Sequence, residues 1–136
     1  MIKNTLLISV FLMFSGLIAE AQNISGEWRL VSIDGQKAFT IELVHITKDR
    51  VQGVHCVEDF ENKIFECFQM QDEYTVRLVK ISENIFQGNL LSGVGKERLV
   101  EDIQLQYIPL DDSMIFTHTK IPRRVSLIPL EGILRR

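Results

Sequence analysis

Apolar and polar residues alternate along most of this chain, and turn residues interrupt the alternation roughly every ten positions, a spacing typical of short antiparallel strands. Within residues 73–81, for example, Tyr74, Val76 and Leu78 occupy every second position. A period of two places these side chains on one face of a strand, whereas no long segment has the period of a helix. The pattern predicts an all-β protein, folded as an antiparallel up-and-down meander of about eight strands.

The predicted strands account for most of the chain. They run over residues 26–33, 37–47, two segments within 51–70, 73–81, 85–91, 99–108 and 113–119. About eight strands is the number at which a sheet closes into a barrel that side chains fill or that holds one small ligand. We favour a closed barrel because closure removes exposed strand edges. An open sandwich of the same strands is the alternative.

The only two cysteines lie in residues 51–70, where two apolar runs flank a polar turn. If Glu61 and Asn62 form the centre of that turn, Cys56 lies directly opposite Cys67. Facing residues of a non-hydrogen-bonded pair are close enough for a disulfide, which we therefore predict. Two reduced, buried cysteines are the alternative. A zinc site is disfavoured because the spacer is long and no second Cys/His pair follows.

The register of this hairpin also suggests candidate binding residues. It places His55 and Glu66 on the more apolar face, together with Phe68 and Met70, so we expect this face inside the barrel and the disulfide outside. A carboxylate turned into an apolar lumen is costly unless it is solvated or paired. We therefore predict that His55 and Glu66 are the polar groups of any small-ligand site at this end. The alternative places the pair at the rim in water.

The N-terminus has the parts of a signal peptide. Lys3 supplies the positive charge, an apolar run follows, and Ala19 and Ala21 form a small-x-small cleavage site. We therefore expect residues 1–21 to be removed and the protein to be exported to the periplasm or the cell exterior, which permits the disulfide. The apolar run is too short for a comfortable membrane anchor. We expect no anchor after cleavage.

Charge is distributed unevenly along the chain. The net charge is −3, but residues 22–119 carry nine Lys/Arg against sixteen Asp/Glu, whereas residues 120–136 carry five against one. The acidic barrel domain, residues 22–119, argues against a nucleic-acid partner. Residues 120–136 form a basic but apolar tail, which we expect to pack on the barrel as an extra strand or turn across one end. A partner-binding tail is the alternative.

The chain shows no catalytic constellation. His45, His55 and His118 fall on three different predicted strands, and a metal site or catalytic triad would need them to converge, which their spacing cannot show. We therefore expect no catalytic residues, no metal site and no cofactor. Two function classes remain: a carrier of a small apolar molecule, or a protein-binding module such as an exported enzyme inhibitor.

The first strand opens with Gly26-x-Trp28, which resembles the signature of lipocalins and other calycins. The resemblance implies that Trp28 plugs the closed end of a barrel and that Gly26 lets the backbone pass close by. It also implies an arginine over the tryptophan, for which Arg123 and Arg124 are the candidates. A carrier of a small ligand would fit this class, although the ligand sites of lipocalins and avidins cannot be placed on this sequence.

A second resemblance covers the hairpin. Gly53-x-His55-Cys56 followed by Asn62-Lys63-Ile64-x-x-Cys67 is similar to small exported barrels of Bacteroidota. The Ala-x-Ala-Gln cleavage site is typical of the same group. Together the two resemblances extend over residues 22–119.

We predict that Cys56 and Cys67 form one intramolecular disulfide in the exported protein. Alkylation of the unreduced protein should add no mass, whereas alkylation after reduction should label two thiols. Two labelled thiols in natively exported, unreduced material would refute the prediction.

Overall fold

The computed structural model describes residues 23–93, 98–122 and 126–136, so the predicted signal peptide lies outside the described residues. These residues form nine strands. The strands are β1 (Gly26–Val31), β2 (Lys37–His45), β3 (Arg50–Asp59), β4 (Ile64–Cys67), β5 (Val76–Ser82), β6 (Ile85–Ser92), β7 (Leu99–Ile108), β8 (Ser113–His118) and β9 (Glu131–Arg135). The described part of the chain has no helix of the length and hydropathy needed to cross a membrane.

The strands close into an antiparallel barrel. Consecutive strands pair from β1 to β3 and from β5 to β9, and β3 also pairs with β5. The ring closes where β9 pairs with β8 on one side and with β1 on the other, through Arg29 and Arg135. Eight strands therefore form the wall, and the prediction of a closed all-β meander is confirmed.

The eight wall strands are not the eight that the sequence pattern predicts. Strand β3 has ten residues, of which residues 50–53 pair with β5 and residues 56–59 pair with β4. Strand β4 therefore extends the hairpin beyond the wall instead of forming part of the ring. The eighth wall strand is β9 instead. The sequence pattern predicts this segment as part of a tail packed across one end of the barrel. The sequence pattern does not mark residues 131–135 as a strand, because this strand has only five residues and follows Pro122 and Pro129.

The hairpin has the predicted register. Cys56 lies opposite Cys67 and the two form a disulfide. The N–H of Phe68 donates to the carbonyl of His55 at 3.2 Å, which makes the cysteines a non-hydrogen-bonded pair, with Cα atoms 4.0 Å apart. The disulfide lies on the outer face, whereas His55 and Glu66 are buried on the inner face.

Inward-facing side chains fill most of the barrel. Large apolar ones include Trp28, Phe39, Ile41, Leu78, Phe86, Leu105 and Phe116. Two inward positions are glycines because neighbouring strands approach them closely. A Cβ on Gly53 would overlap the carbonyl of Glu42, and one on Gly88 would overlap that of Arg77. These glycines therefore allow the tight curvature that a small barrel needs.

Trp28 closes one end of the barrel, which we call the tryptophan end; here β1 begins and β9 ends. Its side chain is completely buried, and its indole N–H donates to the carbonyl of Ile24 at 2.9 Å. The guanidinium of Arg136 lies 4.4 Å from the centre of the indole ring, and Tyr107 packs edge-on against it. Burial and a cation–π contact together hold the tryptophan in place.

Arg136 therefore occupies the place for which Arg123 and Arg124 were the candidates, and those two lie outside the described residues. The guanidinium of Arg136 donates to Asp112 at 2.8 and 2.9 Å and to the carbonyl of Ser25 at 2.9 Å. The bond to Ser25 connects the residue after the last strand to the residue before the first strand. The hydrogen bonds from Arg136 hold the pKa of Asp112 below its usual value. Gly26 has a φ of 126°, a conformation that favours glycine.

Replacing Trp28 by alanine should lower the free energy of unfolding by about 3–5 kcal/mol, because it leaves a large cavity at the tryptophan end. Chemical denaturation followed by circular dichroism measures the effect. Arg29→Ala is the matched control on the exposed side of the same strand, and it should change stability by less than about 1 kcal/mol. A loss below about 1 kcal/mol for Trp28→Ala would contradict its role as the plug.

Candidate functional site

The opposite end, where β1 ends and β3 continues into β4, contains a cavity; we call it the hairpin end. The cavity has a volume of about 440 Å³. Its barrel side is lined by Leu30, Phe39 and Val57, three inward-facing residues of neighbouring strands. Ser32 and Asp59 lie at its rim. The alternation of each strand thus places apolar side chains inside the cavity and polar groups at its mouth.

The other side of the cavity is formed by residues 126–130, which we call the strap. Leu127, Ile128 and Pro129 line the cavity, and Ile128 is buried in the same apolar cluster as the barrel core. The strap connects to β9, so it is tied directly to the strand that closes the barrel. An apolar roof over an apolar wall gives a site suited to an apolar guest.

A buried polar cluster attaches the strap to β7 and β8. The hydroxyl of Ser126 donates to Glu101 at 2.9 Å, and the other carboxylate oxygen of Glu101 lies 2.9 Å from Nε2 of His118. The side chains of Glu101 and His118 are 0% and 3% exposed. Nδ1 of His118 lies 3.0 Å from the carbonyl of Leu130, and its backbone N–H donates to the same oxygen at 3.1 Å.

The contacts of His118 determine which ring nitrogen faces which partner. The carbonyl of Leu130 can only accept, so Nδ1 of His118 donates to it. Nε2 of His118 faces the carboxylate of Glu101, whose other oxygen accepts from Ser126. A buried polar cluster of this kind is stable only while all its partners stay in place.

His55 and Glu66 form a second buried pair. Their side chains are 0% and 5% exposed, and Nε2 of His55 donates to Glu66 at 3.3 Å. Nδ1 of His55 lies 2.7 Å from the hydroxyl of Thr75, and the N–H of Gly93 donates to the other carboxylate oxygen of Glu66. Phe68 packs against the imidazole, with ring centres 5.2 Å apart. The pair thus connects the hairpin to the end of β6.

The surroundings of Glu66 shift its ionisation. Burial raises the pKa of Glu66, but the hydrogen bonds from His55 and from the N–H of Gly93, helped by the charge of Arg98, outweigh it and leave the pKa below the usual value of 4.5. The carboxylate is therefore ionised at neutral pH. It is a paired charge, and it does not need a ligand to offset its burial.

The structure brings His55 and Glu66 together inside the hairpin end, as the register implies, and neither lies at the rim in water. Neither lines the 440 Å³ cavity, because their polar atoms are turned to each other, to Thr75 and to Gly93. A role for them in ligand binding stays a prediction. His45 lies at the tryptophan end, where its Nε2 accepts the N–H of Ile24 at 3.1 Å, so the three histidines do not converge.

The cluster of Glu101, His118 and Ser126 was not predicted, although the sequence carries a signal for two of its members. Glu101 falls in register with Ile103 and Leu105, which makes it a carboxylate on an apolar face, the same signal that singled out Glu66. His118 likewise follows Met114 and Phe116 at alternate positions. No alternation marks Ser126, because the strap is not a regular strand.

One group of potential metal ligands occurs among the described residues. The side chains of Cys56, Glu58 and Cys67 offer atoms within 4.8 Å of one another. Both sulfurs are joined in the disulfide, so no thiolate is free to bind a metal.

Comparison with protein-family models, with curated proteins and with solved structures found no significant match.

Glu66→Gln should lower the free energy of unfolding by about 1–3 kcal/mol at pH 7, because it weakens charge-assisted hydrogen bonds. The pKa of Glu66 is lower in the folded than in the unfolded protein, so its stabilising contribution is present above about pH 4.5 and is lost as the pH falls through the folded pKa. The difference between wild type and variant should therefore shrink in acid. Denaturant titrations at several pH values measure it.

Glu61→Gln provides the control, since Glu61 is exposed in the turn of the same hairpin. It should leave stability within about 0.5 kcal/mol of wild type. A Glu66→Gln penalty that is the same at pH 7 and at pH 3 would contradict the predicted ionisation.

Proposed function

We propose that this protein is a non-catalytic binding module that holds one small apolar molecule in the cavity at the hairpin end. The observation that carries the proposal is the cavity itself. Its volume of about 440 Å³ lies within the range of small-molecule sites, roughly 300–1,000 Å³, and both its barrel side and its roof are apolar.

The rim offers a few polar groups that would orient such a molecule. Ser32, Lys37 and Asp59 lie around the mouth. Asp59 accepts hydrogen bonds from the side chain and backbone of Asn62 at 2.9 and 3.1 Å, and these lower its pKa, so it stays ionised. The polar end of a ligand would therefore face this rim while its apolar part contacts Phe39 and the strap.

The arrangement of titratable groups supports a binding role over a catalytic one. Among the described residues, no histidine or cysteine lines the cavity. The two buried histidines are each hydrogen-bonded to a glutamate inside the protein, away from the space a substrate would occupy. A catalytic site needs a reactive group and its base within reach of bound substrate.

We further infer that the barrel is calycin-like and that the protein is exported. The contact of Arg136 with Trp28 at the closed end is the arrangement that the resemblance to calycins implies. The disulfide is consistent with an oxidising compartment outside the cytoplasm, in keeping with the expected signal peptide.

The binding of N-phenyl-1-naphthylamine, a neutral apolar fluorophore, tests the proposal. Its fluorescence should rise on binding to the wild-type protein. Val57→Phe places a larger side chain in the cavity and should weaken the affinity at least about tenfold, since overpacking costs about 1–3 kcal/mol.

Val79→Phe is the matched control, because Val79 is an exposed valine on the outer face of β5. It should bind the fluorophore as wild type does. If Val57→Phe and wild type bind equally, the fluorophore does not occupy this cavity. If wild type binds none of a set of neutral, acidic and basic apolar probes, the proposal fails.

A protein-binding module is the second candidate, and one observation favours it. Phe60, Ile64 and Phe65 are exposed at the tip of the disulfide-bonded hairpin, and Phe60 and Phe65 pack edge-to-face with ring centres 5.9 Å apart. Exposed aromatic residues on a rigid element are typical of a protein contact. Two results together would favour this candidate. The first is that the cavity binds no probe. The second is that the Phe60→Ser, Phe65→Ser double variant folds normally, which would mean that the two exposed aromatic side chains are not needed for stability.

A further inference from the structure

We propose that the strap, residues 126–130, is a gate that forms one movable side of the cavity mouth, and that the cluster of Glu101, His118 and Ser126 is the catch that keeps this mouth narrow by holding the strap in place. This inference rests on the proposed function, because a gate has meaning only for a cavity that takes a guest. It adds how a guest enters and which side chains control its entry.

The strap is fastened along one side only. Ser126 and Leu130 bond to Glu101 and His118, which belong to β7 and β8. Across the cavity, the described residues show no hydrogen bond between the strap and β1, β2 or β3. On the cavity side the strap presents Leu127, Ile128 and Pro129, which line the cavity opposite that wall. The free side therefore faces the cavity.

The composition of the strap suits a segment that opens without leaving backbone groups unpaired. Pro129 has no N–H, so nothing is lost there when the strap moves away from the wall. The N–H of Ile128 donates to the hydroxyl of Ser126 at 3.0 Å, a bond internal to the strap. The strap can therefore move outward with this bond intact. Among the contacts between described residues, those that must break are the bond from Ser126 to Glu101 and the packing of Ile128 in the core.

The catch is suited to reversible release. If Ser126 moves away, Glu101 keeps its bond to His118, so the carboxylate does not become an isolated buried charge. His118 also keeps Leu130 in place through its ring and its backbone N–H, which fixes the far end of the strap next to β9. The geometry thus allows the Ser126 end to open while the Leu130 end stays attached.

The test compares Glu101→Gln with Ser126→Ala in the full exported chain, since each change weakens the catch from one side. Glu101→Gln keeps the side-chain volume and leaves the bond between Ile128 and Ser126 in place, so it is used for hydrogen exchange measured by mass spectrometry. Peptides covering the strap should exchange at least about tenfold faster in this variant than in wild type. Ser126→Ala also removes the acceptor of the Ile128 N–H, so it is used for probe uptake only. Both variants should take up N-phenyl-1-naphthylamine faster than wild type in stopped-flow measurements.

Ser113→Ala is the matched control. Ser113 is also a buried serine bonded to a carboxylate, at 2.6 Å to Asp111, but it lies at the tryptophan end. It should leave strap exchange and probe uptake unchanged.

The outcomes separate the gate from the binding function. If wild type binds the probe but Glu101→Gln leaves strap exchange unchanged and neither variant raises the association rate, the gate is wrong and the binding function stands. Faster strap exchange without faster uptake also overturns the gate, because the strap is then not the barrier. If neither wild type nor Ser126→Ala binds the probe, opening the strap admits nothing, and the binding function falls together with the gate.

Discussion

The structure depends on β9 pairing with β8 and β1 at the same time. Without that strand, the sheet would keep two open edges, and the inward side chains of β1 and β8 would lie next to a gap. The same strand carries the chain to Arg136, whose guanidinium covers Trp28 and bonds to Asp112 and to the backbone of Ser25. It also fixes the end of the strap at the other side of the barrel. Both barrel ends are therefore organised by one short strand.

A second constraint comes from the polar groups that the alternation of the strands turns inward. Glu66 and Glu101 each lie on an otherwise apolar face, and each is paired with a histidine from a neighbouring strand. One pair fastens the hairpin to β6 through Gly93, and the other fastens the strap through Ser126. Removing one member of such a pair would leave its partner buried without a hydrogen-bond partner, which is costly in free energy. The two pairs therefore attach irregular segments that strand pairing does not hold. Neither Glu66 and His55 nor Glu101 and His118 line the cavity, whose inner wall is formed by Leu30, Phe39 and Val57.

Much of the fold could be predicted from the sequence, because strand alternation and turn residues are local signals. The register of the hairpin followed from one assumption about its turn, and it correctly placed Cys56 opposite Cys67. The identity of the closing strand could not be predicted, since pairing between β1 and β9 joins residues more than a hundred positions apart and leaves no local mark. The alternation along the hairpin correctly places His55 and Glu66 together inside the barrel, and their role in ligand binding stays a prediction. The strap and its catch could not be predicted, because they depend on Ser126, which lies in an irregular segment. Arg136, the residue over Trp28, could not be predicted either, because it lies more than a hundred positions away in the chain.

The position of β9 in the ring also has a consequence for how the protein reaches its folded state. The ring closes only when the last of the nine strands meets the first, so until then the sheet keeps two open edges. Pairings between such distant segments are slow to form, and open edges are where chains join one another wrongly. The interval before closure is therefore the time when this chain is most exposed to aggregation. The disulfide spans only eleven positions within a local hairpin, so it does not bring the first and last strands nearer to each other.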